Sequence, residues 1–280
     1  MPSPDGDLAE MPFSDSADLP AQIPNLENPI PYTLVNSRPL DNTQFIAPYV
    51  PCSLQVVQAV LRFANIQSSD VLVDLGCGDG RILFAAHESD RPPAFSVGIE
   101  LDPYLVKHAK EKALQLERQE RIAFIEQDMF TVNLDQLELD SGQCTATVLI
   151  LYLLPTGLDK LKPQLHRWLN GGPLPTSGDA DCHLSSTPPK LTRSWSESSW
   201  LLFSKLCRSV SLALRSNEVR ESSCSPNRRI ITITYSIPGW EPSEAVEAKA
   251  AATNTAGGTH GWNVNHWLFR YDKTSVASTQ

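Results

Sequence analysis

One short stretch, residues 69–86, constrains the fold of this chain more than any other: SDVLVDLGCGDGRILFAA. An apolar run ends in three glycines at alternate positions, Gly76, Gly78 and Gly80, and a segment of helical pattern follows from about Arg81. A strand, a glycine turn and a helix in this order are typical of parallel α/β sheets, which bind ligands at the carboxyl ends of their strands. Because glycine lets a ligand touch the main chain, the turn predicts a ligand in close contact with it.

The rest of the chain supports such a sheet. Apolar runs follow at AFSVGIE, IAFIEQD, TATVLILY and RRIITITYSI, and helical patterns lie before or between them, one of them at about residues 157–169. Capping residues predict two helix starts, at Ser53 and at Asp102-Pro103. Strands that are apolar on both faces and separated by helices indicate a parallel sheet covered on both sides. We therefore predict a Rossmann-like, doubly wound, mostly parallel α/β sheet.

Several segments lack this regular pattern. Residues 1–44 are rich in Pro, Asp, Ser and Asn and predict a disordered tail, and residues 273–280 predict a second one. The folded domain is expected at residues 45–272. It is interrupted at 171–228 by a Ser/Pro-rich insertion, expected to be disordered, where a connection of a few residues is usual; a translated intron or gene-model artefact is the alternative. Residues 245–261 predict a low-complexity loop.

Composition limits the class of protein. The chain has 280 residues and a net charge of −9, which argues against a large nucleic-acid surface. Its six cysteines form no C-x-x-C pair, and Cys182-His183 has no second pair at zinc spacing, so we expect a reduced intracellular compartment and no metal. No signal peptide is apparent. The run TATVLILYLL is shorter than the ~20 residues of a membrane span and predicts a buried strand.

The acidic residues around the glycine turn suggest the ligand. Asp74 precedes the turn and Asp79 lies within it, so a pyrophosphate would be repelled and an ammonium or sulfonium group would be favoured. Glu100 ends the second strand, where a carboxylate can accept both hydroxyls of a ribose. Asp128, after the third strand, can accept an adenine amino group while Met129 packs on the ring. An amino acid, a ribose and an adenine together predict S-adenosylmethionine and a class I methyltransferase.

Further motifs resemble a known family. APYVPCSLQVVQAVL, VDLGCGDGRILFAA, GIELDPYLV, LYLLPTGLDKLKPQL, SIPGWEP and HWLFRYD are similar to motifs of the protein-lysine methyltransferases that modify the ATP synthase c subunit and the adenine nucleotide translocase. The resemblance covers about residues 45–170 and 229–272. It implies a seven-stranded methyltransferase sheet with helices on both faces, and a lysine side chain of a protein substrate as the methyl acceptor.

The sequence departs from the family in three places. The 171–228 insertion is foreign to it, the apolar N-terminal anchor of its mitochondrial members is absent from this sequence, and Cys52 replaces a small hydroxyl residue or alanine. Substrate and compartment therefore stay open. The sequence favours a cytoplasmic location and a monomer, whereas the resemblance implies mitochondria.

The predicted cofactor site contains the glycines and acids together with their neighbours. Its members are Tyr49, Pro51, Asp74, Gly76, Cys77, Gly78, Gly80, Glu100, Leu101, Asp128, Met129 and Leu151. By resemblance, Tyr49 and Pro51 close over the cofactor or form the substrate access, or else they are a hook that packs the N-terminus. Tyr152 is the candidate for orienting the acceptor amine, or else a packed strand-end aromatic. His108, His260 and His266 lack a partner acid at a telling spacing and are expected at the surface or in the core.

Three functions compete on these residues. The first is a protein-lysine N-methyltransferase, and the second is a methyltransferase acting on a small molecule or RNA. RNA is disfavoured by the acidic balance and because LYLLP replaces the N-P-P-Y-type tetrapeptide of many amino-group nucleic-acid methylases. The third is a binding module that keeps the cofactor pocket without catalysis, and it is disfavoured because Asp74, the glycines, Glu100 and Asp128 are all intact.

Overall fold

A computed structural model of the chain describes residues 29–36, 47–139, 142–171, 227–248 and 266–277. The helices are α1 (Tyr32–Asn36), α2 (Leu54–Ala64), α3 (Arg81–His87), α4 (Pro103–Gln115), α5 (Pro155–Asn170) and α6 (Lys273–Ala277). The strands are β1 (Val71–Leu75), β2 (Phe95–Glu100), β3 (Ile122–Glu126), β4 (Leu137–Leu139), β5 (Gly142–Cys144), β6 (Val148–Leu151), β7 (Arg229–Ile233), β8 (Glu244–Ala248) and β9 (His266–Tyr271). The predicted insertion, except its ends, most of the predicted N-terminal tail, Cys182-His183 and His260 lie outside the described residues.

Seven strands form one sheet in the order β3-β2-β1-β6-β7-β9-β8. Strands β3, β2, β1, β6 and β7 pair in parallel, and β9 runs antiparallel to both of its neighbours. Strands β4 and β5 form a separate antiparallel hairpin. This topology confirms the predicted doubly wound, mostly parallel seven-stranded sheet.

Helices cover both faces of the sheet because alternate strand residues are buried on opposite sides. One apolar cluster joins α2, α3 and α4 to one face, with Val57 and Leu83 fully buried. A second joins α5 to the other face, with Leu161 fully buried and Trp168 nearly so. The apolar run TATVLILYLL contributes β6, as predicted. Among the helices in the described ranges, none is long and apolar enough to cross a bilayer.

The predicted helix starts are confirmed. The Ser53 side chain accepts a hydrogen bond from the N–H of Val56, and the Asp102 side chain accepts one from the N–H of Tyr104, with Pro103 at the first helical position. Helix α4 ends at Gln115. Glu117 adopts a left-handed backbone conformation with φ of 54°, which an α-helix cannot include.

Structure also forms in segments that the sequence predicted as irregular. The prediction of a loop from residue 245 is wrong for β8, whose residues through Ala248 pair with β9. Within the two segments predicted as disordered tails, the structure places α1, which buries Val35, and α6, which follows a turn in which Asp272 accepts the N–H of Thr274 at 2.9 Å. Pairing and packing between distant segments decide all three elements, and local composition does not reveal them.

A buried arginine connects three elements at the amino ends of the central strands. Arg229, 2 % exposed, donates to both carboxylate oxygens of Asp70, at 3.4 and 2.6 Å. Its remaining N–H groups bond the carbonyls of Ala64 and Asn65 at the end of α2. One side chain from β7 thereby supplies hydrogen bonds to the last carbonyl groups of α2 and to the carboxylate that precedes β1.

Replacing Arg229 by alanine should lower the free energy of unfolding by about 3–5 kcal/mol, because Asp70 and two carbonyl groups would stay buried without their partner. Replacing Lys107 by alanine should lower the free energy of unfolding by at most about 0.5 kcal/mol, because its ion pair with Glu111 is exposed. Urea unfolding of both variants measures the difference. Equal losses would contradict the role given to Arg229.

Candidate functional site

The candidate site lies where the carboxyl ends of the parallel strands meet. Leu75 at the end of β1 is in register with Ile99 of β2 and Leu151 of β6, so these strands end level with one another. From β1 the sheet is extended on one side by β2 and β3 and on the other by β6 and β7. Such a reversal of strand order opens a crevice between the connections, and in doubly wound sheets it is where ligands bind.

The glycine turn packs against the chain's own aromatic rings more than the sequence predicted. Gly78 and Gly80 have φ of 56° and 75°, a conformation that side chains resist. A Cβ on Gly78 would lie 2.8 Å from the Tyr49 ring, and one on Gly80 would lie 2.7 Å from the Phe124 ring. Gly78 and Gly80 are therefore covered by the protein itself. Gly76 is less crowded, since a Cβ on it would lie 3.4 Å from the nearest side-chain atom, Cε of Met129.

Three predicted members of the cofactor site take part through the main chain or the core. The N–H of Cys77 bonds the carbonyl of Ile99 at 3.1 Å, and its thiol sulfur would lie 2.6 Å from a Cβ on Gly98. Leu101 donates its N–H to Glu100 at 2.8 Å. Leu151 is fully buried in the apolar cluster beneath α5. The structure thus does not place the side chains of Cys77 and Leu151 in the crevice.

Glu100 connects β2 to the glycine turn. Its Oε2 accepts the N–H of Gly78 at 2.9 Å, and its Oε1 accepts those of Leu101 and Asp102 at 2.8 and 3.0 Å. Burial raises the pKa of this carboxyl above its usual value, and the three N–H groups oppose that rise. Because a carboxylate has about four acceptor positions, Glu100 can still accept from a ligand hydroxyl.

Asp74 is a buried carboxyl that lacks compensation. It is 3 % exposed, and burial together with the charges of Glu100 and Asp79 raises its pKa to about 8. Within the described part of the chain no group donates a hydrogen bond to it. A cationic ligand beside Asp74 would supply the missing partner, which agrees with the predicted preference for an ammonium or sulfonium group.

Asp79 has a different role from the one predicted. Arg81 binds it with two hydrogen bonds, from Nε at 2.9 Å and from a terminal nitrogen at 2.6 Å. Burial alone would raise the pKa of Asp79, but Arg81 outweighs it and the pKa lies below its usual value. The prediction that Asp79 favours a cationic ligand is therefore wrong, because its charge is already paired inside the protein.

The loop after β3 places Asp128 and Met129 at the same edge of the sheet. Oδ1 of Asp128 accepts the N–H of Phe130 at 3.0 Å, and the side chain is half-buried. From α5, the buried Gln164 donates to the carbonyls of Met129 and Val132 at 3.2 and 2.8 Å. Gln164, which the sequence analysis did not identify, thereby anchors the loop after β3.

The segment before α2 folds over the glycine turn. Tyr49 lies against Gly78 and is held by Asn36, whose side chain bonds both the N–H and the carbonyl of Tyr49, at 3.1 and 3.0 Å. Arg81 donates to the carbonyl of Cys52 at 2.5 Å. Pro51, half-buried, lies between these two anchors. This packing corresponds to the predicted hook, and it also brings Tyr49 next to the glycine turn.

Tyr152 follows β6 and lies next to two side chains that the sequence did not assign to the site. Its ring meets the His266 ring edge-on, with centroids 6.0 Å apart. Nδ1 of His266 lies 2.7 Å from the Thr234 hydroxyl, so His266 does have a polar partner. No local pattern marks Thr234 or His266, because β7 and β9 bring them together from 32 residues apart. His108 is exposed, as expected.

The comparisons with known proteins agree with this geometry. The family described as the ANTKMT methyltransferase domain matches residues 74–174. A protein-lysine N-methyltransferase of Saccharolobus islandicus is 30 % identical over 125 residues, which are 45 % of this chain and 71 % of that protein. The fold and the strand-end groups define a class I S-adenosylmethionine-dependent methyltransferase. Within this class, the chain belongs to the ANTKMT methyltransferase family, which confirms the resemblance.

Two further proteins are similar, one over a smaller share of its own length and the other at a lower sequence identity. The adenine nucleotide translocase lysine N-methyltransferase of Mus musculus is 32 % identical over 131 residues. These residues are 47 % of this chain and 52 % of that protein, so the chain spans about half of the mouse enzyme. A crystal structure of an RNA methyltransferase from Salinibacter ruber with S-adenosyl-L-homocysteine covers 79 % of this chain and 92 % of its own, at 24 % identity and a TM-score of 0.47.

Cofactor binding should expel a proton from Asp74. With a pKa of about 8 the carboxyl is mostly protonated at pH 7 in the free protein, and a bound cation favours the ionised form. The affinity for S-adenosylmethionine should therefore rise towards tenfold per pH unit as the pH rises to about 8. The Asp74→Asn variant should bind S-adenosylmethionine more weakly, and its affinity should lack this part of the pH dependence.

Calorimetric titration at pH 7 in two buffers of different ionisation enthalpy counts the protons released. The Asp74→Asn variant serves as the control, since it keeps the contribution of the cofactor's own amine. Equal proton release by both proteins would rule out Asp74 as the titrating group.

Proposed function

We propose that this protein is a protein-lysine N-methyltransferase. The single observation that carries the proposal is Asp74, a buried carboxyl at the carboxyl end of β1 to which no described residue donates a hydrogen bond, beside the glycine turn. The names of the related enzymes supply the acceptor: protein lysine in Saccharolobus islandicus and the adenine nucleotide translocase in Mus musculus.

The strand ends offer one group for each part of the cofactor. Asp74 would hold the ammonium group of the amino-acid portion, Glu100 a ribose hydroxyl, and Asp128 the adenine amino group, with Met129 against the ring. The main chain at Gly76 would line the amino-acid portion. The other seven predicted members would contribute through backbone, packing or closure of the site: Tyr49, Pro51, Cys77, Gly78, Gly80, Leu101 and Leu151.

The acceptor side of the site must supply a neutral amine. When bound, S-adenosylmethionine provides a methyl group already activated by its sulfonium charge. A lysine amine with a pKa near ~10.4 is mostly protonated at pH 7 and cannot attack until it loses a proton. Half-buried surroundings and a nearby positive charge both favour the neutral form.

Tyr152 is suited to orient that amine. It follows β6 directly, at the level of the glycine turn, and its side chain is half-buried. Burial raises the pKa of its hydroxyl, so the phenol stays neutral and can accept a hydrogen bond from the amine. In this role it would fix the direction of the nitrogen lone pair and help to exclude water.

An intracellular compartment and a monomer complete the proposal. Cys52, Cys77 and Cys144 are free cysteines, in agreement with a reducing environment. The cytoplasm is our first choice and mitochondria, by family resemblance, the second. A fluorescent fusion of the full-length protein distinguishes the two.

Glu100→Gln should weaken binding of S-adenosylmethionine by about tenfold or more. The new amide would place an N–H₂ donor against the N–H groups that Glu100 now accepts, and one ribose acceptor would be lost. The matched control is Glu126→Gln, since Glu126 is the exposed register partner of Glu100 on β3. Calorimetry should give the wild-type affinity for Glu126→Gln, and an unchanged affinity for Glu100→Gln would disprove the ribose assignment.

The acceptor is tested with cofactor labelled in the methyl group and protein extract from cells that lack this enzyme. Label should enter a protein band, resist nuclease and appear on lysine by mass spectrometry. Label only in RNA or small molecules would reject a lysine acceptor while leaving the methyltransferase class intact. The Asp74→Asn variant is the control, because label that appears with this variant can come from other methyltransferases in the extract.

A further inference from the structure

Thr234 has an unusual backbone conformation at the end of β7. Its φ is 73°, in the left-handed region, where a β-branched residue is an outlier and where glycine or asparagine would be favoured. Two hydrogen bonds hold the turn: Thr234 donates its N–H to the carbonyl of Trp267 at 2.7 Å, and Thr232 donates its hydroxyl to the carbonyl of Tyr235 at 2.7 Å. Residues kept in such conformations concentrate at functional sites.

The strained turn places the Thr234 hydroxyl between two rings. Nδ1 of His266 is 2.7 Å from this hydroxyl, and His266 meets the Tyr152 ring edge-on. The Thr234 side chain also acts on Tyr152, since it opposes the rise that burial causes in the pKa of Tyr152. The three side chains come from β6, β7 and β9, three neighbouring strands, and form one polar group at the carboxyl ends of β6 and β7.

This group lies at the same edge of the sheet as the glycine turn. Tyr152 follows Leu151, the register partner of Leu75, and Thr234 follows β7 in the next position of the sheet. All three side chains are half-buried, so they are shielded from bulk water but within reach of an incoming side chain. Burial lowers the pKa of His266, which keeps the imidazole neutral near pH 7.

We propose that Thr234 and His266 are positioning residues that hold the Tyr152 side chain against the acceptor amine. The inference rests on the proposed function and adds two residues to it. The His266 ring limits the rotation of the Tyr152 ring from its edge, and the Thr234 hydroxyl links the two. Because a displacement of about 1 Å can cost a large factor in rate, a held phenol orients the amine better than a free one.

The test separates the hydroxyl of Thr234 from its backbone strain. Thr234→Gly relieves the strain and removes the hydroxyl, whereas Thr234→Ser keeps the hydroxyl. His266→Phe keeps a ring beside Tyr152 and removes the hydrogen bond. The control is Glu117→Gly, which relieves a left-handed φ of 54° at an exposed residue away from the site.

Each variant is assayed with labelled S-adenosylmethionine and the extract protein that the wild-type enzyme labels most strongly. For Thr234→Gly and His266→Phe we expect the rate at saturating acceptor to fall by about tenfold or more. The half-saturating acceptor concentration and the cofactor affinity should stay within about twofold, and the thermal unfolding midpoint of Thr234→Gly should stay near or above the wild-type value. Thr234→Ser and Glu117→Gly should retain the wild-type rate.

The outcomes distinguish this inference from the proposed function. A wild-type rate in Thr234→Gly, or a Thr234→Ser variant as slow as Thr234→Gly, would overturn the positioning role while lysine labelling by the wild-type enzyme stands. A loss of rate that follows a loss of cofactor affinity or of stability would also overturn it, since a structural role explains that result. If the wild-type enzyme labels no protein, the proposed function fails and the inference fails with it.

Discussion

The buried ion pair between Asp79 and Arg81 is the interaction on which the rest of the site depends. Arg81 opens α3, binds Asp79 inside the glycine turn with two hydrogen bonds, and also donates to the carbonyl of Cys52 before α2. One guanidinium group thereby connects the turn, the helix after it and the segment that carries Tyr49. Because a planar guanidinium has several donors in fixed directions, lysine could not make this set of bonds. Together with Asn36, which bonds the main chain of Tyr49, this guanidinium group helps to hold Tyr49 over Gly78.

The same edge of the sheet holds three carboxyl groups in three different environments; Asp74 and Asp79 are buried and Glu100 is half-buried. Asp79 is paired with an arginine and keeps a low pKa, whereas Glu100 is bound by three main-chain N–H groups. Asp74 has neither and is left with a raised pKa. Burying a carboxyl without a partner costs stability, so a fold retains one only where something else brings the compensating charge. This contrast identifies the cationic end of the ligand more sharply than the glycines do.

The sequence was informative where residues close along the chain decide the structure. Strand, glycine turn and helix caps are local, and the sequence predicted Asp74, Glu100 and Asp128 as cofactor ligands because each lies at or near the carboxyl end of an apolar run. Arg81 lies two residues from Asp79, yet the pattern alone could not show that it takes the charge, since that depends on both side chains being buried. Strands β8 and β9 and the contact of Thr234 with His266 depend on pairing between residues far apart, which no local pattern records.

Burial changes across the sheet edge in a way that matches the two halves of a transfer reaction. Beside β1 and β2, Asp74 is deeply buried and Glu100 is half-buried, and these acids suit a small ligand that carries its own positive charge. Beside β6 and β7 they are half-buried hydroxyl and imidazole groups without net charge, flanked by the exposed apolar side chains of Leu154 and Tyr235. A charged acceptor side would stabilise an ammonium ion, whereas neutral, partly desolvated groups favour the amine that reacts. The division between the two halves falls at the strand-order reversal between β1 and β6, so in the proposed function the topology of the sheet would separate the methyl donor from the acceptor.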